Sequence, residues 1–168
     1  MKKIAGFLAC LIAFAPINSV SATTINDDQK GLISTNCASI KMQLEKVQKA
    51  DAKNRVHLGA QYETILTNLM MNLNLRLVKN NLADATIAAQ QTTFRSERNR
   101  FKDDYIGYSQ ELDKLIDMDC RDDQQKFYDQ LELVRYKRED VNKSIQRMNE
   151  ILEKHYSAIL NFRKGLSR

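Results

Sequence analysis

The chain has 168 residues, of which 28% are charged and 43% hydrophobic, and it contains only five glycines and one proline. This composition excludes a disordered or collagen-like chain and is typical of a single domain built from long helices. The net charge of +5 is too modest to indicate a dedicated nucleic-acid-binding protein.

The first 22 residues have the three parts of a secretory signal peptide. Lys2 and Lys3 form a basic start, residues 4–15 form a short apolar run, and residues 20–22 are small enough for a leader protease. We therefore predict cleavage before Thr23. Cleavage leaves 146 of the 168 residues, and losing the two lysines lowers the formal net charge from +5 to +3.

Two other interpretations of the leader stay open. Cys10 follows a few apolar residues and resembles a lipidation site, although it comes very early in the leader. The leader also resembles a membrane anchor, although its apolar run is shorter than the roughly 20 residues that a transmembrane helix needs. The mature domain, residues 23–168, has no other candidate transmembrane segment. We expect it outside the cytoplasm, whether periplasmic, secreted or at the cell surface.

The mature domain is predicted to be all-helical, because the only proline is Pro16 and no segment alternates apolar and polar residues for long enough to form a strand. We predict three helices, at about 27–80, 84–118 and 123–166. Asn26 with Gln29, Asp84, and Asp122 with Gln125 supply the residues that begin them. Short connections favour antiparallel neighbours, so the predicted fold is an elongated up-down-up three-helix coiled coil.

Heptad spacing of four and three supports this coiled coil. The longest predicted seam is Phe127, Leu131, Val134, Arg138, Val141, Ile145, Met148, Leu152, His155, Ile159 and Phe162. The second helix has Phe94, Arg98, Phe101, Tyr105, Tyr108, Leu112 and Leu115. The first has Cys37, Ile40, Leu44, Val47, Asp51, Asn54 and Leu58, and then, after a one-residue slip, Tyr62, Ile65, Leu69, Leu73 and Leu77.

Cleavage of the leader leaves Cys37 and Cys120 as the only cysteines. Folding the first two helices back at about residue 82 brings Cys37 within two helical turns of Cys120. We predict a structural disulfide, as expected for an even number of cysteines outside the cytoplasm. Two free thiols or a redox-active pair are the alternatives.

Two arginines, Arg98 and Arg138, fall on predicted seams, where an unpaired buried charge is costly. A second turn near residue 120 places Arg138 level with Asp103 and Asp104. We predict an interhelical ion pair that sets the register of the helices. Binding of an anionic group by Arg138 is the alternative.

The sequence around the second turn is acidic. Residues 103–132 hold ten acidic and three basic side chains, whereas residues 135–168 hold nine basic and four acidic ones. Four of the acids suggest a weak calcium site: Asp117, Asp119, Asp122 and Asp123. The segment lacks the glycine and the terminal glutamate of an EF-hand loop, so capping and solubility explain these aspartates better.

The sequence has only two histidines, His57 and His155, and neither has zinc-ligand spacing. A glycine-rich phosphate loop and a nucleophile elbow are also missing from it. We therefore predict a protein that is not an enzyme and has no cofactor or metal. The leading hypothesis is an envelope-associated or secreted interaction or spacer module with a protein or envelope partner. A holdase-type periplasmic chaperone or an envelope-polymer-binding protein is the alternative, and the oligomeric state stays open.

Several short patterns carry a resemblance to known groups. They are Arg55-Val56-x-Leu58, Phe101-x3-Tyr105-x2-Tyr108, Asp119-Cys120, Phe127-Tyr128 and Arg135-x2-Arg138. Together they resemble exported helical coiled-coil proteins of Saccharibacteria-type small bacteria, a group that implies the same fold and no known activity. In size, charge and leader the chain is also similar to the periplasmic chaperone Skp. That family has an additional small β-structured body, for which this sequence predicts no strands.

Overall fold

The computed structural model describes residues 24–166, and these residues form helices joined by short turns. The predicted signal peptide lies outside the described residues. The helices are α1 (Asp27–Thr35), α2 (Cys37–Thr64), a π-helix (Ile65–Met71), α3 (Asn72–Lys79), α4 (Ala85–Asp117) and α5 (Gln124–Leu166). The all-helical prediction is confirmed, and within the described range no residue is in a strand.

Local side-chain chemistry begins each long helix. Asn26 and Gln29 form a reciprocal capping box at α1, with bonds of 2.8 and 2.9 Å between the side chain of each residue and the backbone N–H of the other. The Asp84 carboxylate accepts from the backbone N–H of Ile87 at 2.9 Å and caps α4. At α5 the prediction named Asp122, but Asp123 is the residue whose carboxylate accepts from a backbone N–H, that of Lys126.

The first predicted helix, at about 27–80, differs from the structure because it is interrupted twice. We call its whole length, residues 27–79, the first arm. The first interruption is Asn36, which ends α1 with its backbone and side-chain N–H groups both donating to the Leu32 carbonyl. The second is the π-helix, where the backbone widens by about one residue per turn.

The π-helix explains a difference in the predicted seam of the first arm. Tyr62, Leu66 and Met70 are buried at successive spacings of four, whereas Leu69, which the heptad pattern placed inside, is exposed. In an α-helix, side chains spaced four residues apart do not line up, because each spacing of four turns the side chain further around the helix axis. The wider turns of the π-helix keep these three side chains directed at α4, and after the π-helix Leu77, which is also on the predicted seam, is buried.

Hydrogen bonds between α4 and α5 fix their direction. Gln130 of α5 donates to Glu111 of α4 at 2.9 Å, and further along α5 the Arg147 guanidinium donates to Glu97 at 2.6 Å. The later residue of α5 contacts the earlier residue of α4, so α4 and α5 are antiparallel. This pair makes the most extensive helix–helix contact of the described residues.

The first arm packs against α4, also antiparallel. Gln48 donates to Asp113 at 2.5 Å, and nearer the other end Arg98 pairs with Glu63. The beginning of the arm reaches the start of α5, where the Ile25 backbone N–H donates to a side-chain oxygen of α5 at 3.0 Å.

The core runs along α4, which presents one apolar side chain to the interior at about every second turn. Its buried apolar residues are Ile87, Phe94, Phe101, Tyr108, Leu112 and Leu115. Phe94 and Phe101 both make edge-on ring contacts with Tyr62 of the first arm. None of the helices in residues 24–166 has a stretch apolar and long enough to cross a bilayer.

Candidate functional site

A groove of about 310 Å³ opens in the middle of the molecule between α2, α4 and α5. Its floor is apolar and includes Leu58, Phe101 and Val141. The charged side chains Asp51 and Arg138 lie on opposite walls, one on α2 and the other on α5. We call this feature the central groove. An apolar floor with a few polar groups is the usual composition of a binding site.

Asp51 is the centre of the polar contacts in the central groove. One carboxylate oxygen accepts from the buried Tyr108 hydroxyl at 2.7 Å, and the other accepts from the Arg138 guanidinium at 3.0 Å. Arg138 Nε also lies 3.0 Å from the oxygen that accepts from Tyr108, so the guanidinium contacts both carboxylate oxygens. Only 15% of the Asp51 side chain is exposed, whereas 52% of Arg138 is exposed. A residue from each of α2, α4 and α5 is thereby joined in one network.

The contacts of this network raise the pKa of Tyr108 and of Arg138, which keeps both side chains protonated as donors to Asp51. Burial, and then the hydrogen bond to Asp51, raises the pKa of the Tyr108 phenol. The hydrogen bond to Asp51 raises the pKa of Arg138 above its ordinary value. Tyr108 therefore stays protonated and donates to a carboxylate at neutral pH, an arrangement suited to holding three helices together rather than to proton transfer.

The wall formed by α2 and α4 carries a second pair of contacts. The Arg55 guanidinium lies over the Tyr105 ring at 5.5 Å, and the Tyr105 ring meets the Tyr108 ring edge-on at 6.0 Å. Burial raises the pKa of the Tyr105 phenol. Arg55 and Tyr105 thus line the central groove together with Asp51.

The predicted ion pair of Arg138 forms with a partner other than the two expected. Arg138 pairs with Asp51 instead of Asp103 or Asp104, and Arg98 pairs with Glu63. Asp103 is exposed.

The reason for this difference lies on α5. Asp104 accepts from the Ser144 hydroxyl at 2.5 Å. Ser144 and Arg138 are six residues apart and therefore lie on different faces of α5, one directed at α4 and the other at α2.

The two cysteines do come together. Cys37 and Cys120 lie at disulfide-bonding distance with their Cα atoms 5.6 Å apart, and both residues are buried. The pair joins the beginning of α2 to the turn between α4 and α5. We call this end of the molecule the cysteine tip.

The four aspartates suggested for calcium are all exposed and do not converge. Asp119 accepts from the Arg121 backbone N–H at 2.9 Å, and Asp123 caps α5. Within residues 24–166, one group of three possible metal ligands is found, and it consists of Asp119 with the two cysteines. The calcium hypothesis for Asp117, Asp119, Asp122 and Asp123 is therefore not supported by their positions.

The sequence did not predict the surroundings of three polar residues of the interior. Asp51 had a signal, because an acid on a predicted seam needs a cation or a donor nearby. Ser144, which is fully buried and accepts from Arg147 at 2.8 Å, lies off the predicted seam. His155 lies on the predicted seam and is buried, and its Nδ1 makes no hydrogen bond within the described residues.

Comparisons with known proteins give no relative for this arrangement. A scan against protein-family models found no match, and neither did searches of curated proteins and of solved structures.

Proposed function

We propose that this chain is an exported, non-enzymatic interaction or spacer module of the cell envelope. In this proposal the first arm, α4 and α5 form an up-down-up three-helix coiled coil. The observation that carries it is the length of α5, whose 43 residues pack lengthwise along the 33 residues of α4. At about 1.5 Å per residue, α5 spans about 65 Å, several times the width of a helix bundle. Such a molecule provides reach and surface.

The charged groups of the central groove support the non-enzymatic part of the proposal. Asp51 is satisfied by Tyr108 and Arg138, so its carboxylate serves an internal contact. His57, which lies at the edge of the groove, is exposed and contacts Gln61 of its own helix at 3.1 Å. A general acid or base needs a group directed at a reacting molecule, and these groups are directed at one another.

Location and shape test the proposal together. Fractionation of the native cells, with the N-terminus of the recovered protein mapped by mass spectrometry, should find it outside the cytoplasm and beginning at Thr23. Small-angle scattering should give a radius of gyration of about 23 Å, as for a rod about 75 Å long, whereas a compact domain of this size has about 15 Å. A cytoplasmic protein, or a compact particle, contradicts the proposal.

An aggregation assay separates the spacer function from holdase activity. A spacer should leave the aggregation of an unfolded envelope protein unchanged at equimolar concentration. Suppression of aggregation, together with a trimer in light-scattering measurements, replaces the spacer proposal with the chaperone alternative.

A further inference from the structure

The end of the molecule opposite the cysteine tip has an apolar stripe that faces outward. We call it the α3 stripe, and it consists of Met71, Leu75, Val78 and Leu82, at spacings of four, three and four. All four are exposed, and Leu75 and Val78 remain 52% and 61% exposed. The spacing of Met71, Leu75 and Val78 aligns their side chains along one side of the helix, and Leu82 follows in the turn after α3. Other residues, such as Leu77, contribute to the core. The stripe is therefore an apolar surface additional to the core.

The chain around the α3 stripe is basic. From residue 64 to residue 96 there are three cations, Arg76, Lys79 and Arg95, and a single carboxylate, Asp84, which is engaged in capping α4. Arg76 and Lys79 belong to the same two helical turns as the stripe. An apolar side flanked by basic residues is the pattern of a helix that lies on an anionic lipid surface.

The end of α5 extends the same chemistry. Because α4 and α5 are antiparallel past the Arg147–Glu97 contact, the last turns of α5 lie level with the first turns of α4. Residues 154–166 contain three basic side chains and no acidic one, and they expose Tyr156 and Leu166. The cysteine tip at the other end is acidic, since residues 103–132 hold ten acids against three bases. One end of the molecule thus attracts an anionic surface and the other end is repelled by it.

We propose that the α3 stripe, with Arg76 and Lys79, docks this protein peripherally on an anionic phospholipid bilayer. The stripe enters the boundary between headgroups and acyl chains, and the acidic cysteine tip is held away from the membrane. A second copy of the chain fits less well, because it would bring the same cations together. The stripe also has four residues, whereas a stable protein interface uses about 20–30 on each side.

Vesicle co-sedimentation tests the docking with the chain as it is recovered from expressing cells. The vesicles contain equal parts of phosphatidylglycerol and phosphatidylcholine, and vesicles of phosphatidylcholine alone are the comparison. The double variant L75Q/V78Q should bind the anionic vesicles about tenfold more weakly, because it removes two exposed apolar side chains. The matched control L32Q/M42Q removes two equally exposed apolar side chains at the other end of the first arm and should change binding less than about twofold.

Charge is tested in the same way. R76Q/K79Q should weaken binding to the anionic vesicles by about 25-fold at low salt and reduce its salt dependence, whereas K46Q/K49Q, on α2, should have a much smaller effect. Melting curves followed by circular dichroism should show that all four variants fold, since each replaced side chain is at the surface.

Several results would overturn the docking proposal. They are no binding of the wild-type chain to anionic vesicles, equal binding to phosphatidylcholine alone, or equal weakening by L32Q/M42Q. Binding of soluble polyglutamate without vesicle binding would assign the surface to an acidic protein partner instead. The docking proposal rests on the proposed location outside the cytoplasm, but the two proposals can fail independently. Fractionation and scattering test that location and the rod shape without vesicles.

Discussion

Replacing both Cys37 and Cys120 by alanine should destabilise the protein by a large fraction of its total stability. The two cysteines are separated by 83 positions, so the bond closes a loop of 84 residues. The chain-entropy relation assigns about 4.5 kcal/mol to the closure of such a loop in the unfolded chain. Domains of this size are stable by only about 5–15 kcal/mol, and the melting temperature should therefore fall by about 15 °C.

The structure indicates where this loss acts. Cys37 begins α2, and the residues near it that contribute to the core, Ile33, Ile40 and Leu44, are only partly buried. Without the disulfide, we expect the first arm to detach at this end before α4 and α5 separate. Hydrogen exchange should show the loss of protection first in residues 27–50.

Urea unfolding followed by circular dichroism measures the effect. Reduction of the wild-type protein should lower its free energy of unfolding by as much as the double substitution C37A/C120A does. The stability of the double variant should not change with the reducing agent. A loss smaller than about 1 kcal/mol, or free thiols at both positions in a peptide map of the exported protein, would refute the reasoning.

Three further predictions concern the interior. In urea unfolding, Asp51→Ala should lower the free energy of unfolding by about 2–3 kcal/mol, because it leaves the buried Tyr108 hydroxyl without its acceptor. Tyr108→Phe should lower it by about 1–2 kcal/mol and Arg138→Gln by less than about 1 kcal/mol, because neither change leaves a buried hydroxyl without its acceptor. Phe94→Ala should cost about 3–5 kcal/mol, since Phe94 is fully buried. Burial lowers the pKa of His155, so the unfolded chain binds more protons and stability should fall as the pH drops below about 6.5. His155→Leu should reduce that fall between about pH 7.5 and about pH 5 in thermal melts.

Each of these predictions has a result that contradicts it. An Arg138→Gln variant as unstable as Asp51→Ala would mean that the ion pair, rather than the Tyr108 hydroxyl, dominates the network. Ile106→Ala, at an exposed position of α4, is the control for Phe94→Ala, and an equal loss in both would contradict the assigned core. An unchanged pH dependence in His155→Leu would exclude His155 as its source.

The helical class, the residues that cap α1 and α4, and the cysteine pairing could be predicted from the sequence because they depend on local or nearly one-dimensional information. The absence of proline after residue 16, the heptad spacing and the cap residues act within a few positions of the chain. The pairing of Cys37 with Cys120 needed only a count of residues along antiparallel helices, and an error of one or two turns did not matter for a pair with no competitor in the predicted mature chain.

Only the tertiary structure decided the partners of the polar residues and the buried positions of the π-helix. An arginine reaches across several helical positions, so the choice of Asp51 over Asp104 depends on which face of α5 meets which helix, and Ser144 already occupies Asp104. The π-helix depends on the packing of Tyr62, Leu66 and Met70 against α4, which no heptad pattern contains. The π-helix buries Leu66 and Met70 and exposes Leu69, because side-chain direction in such a segment is set by packing rather than by local propensity.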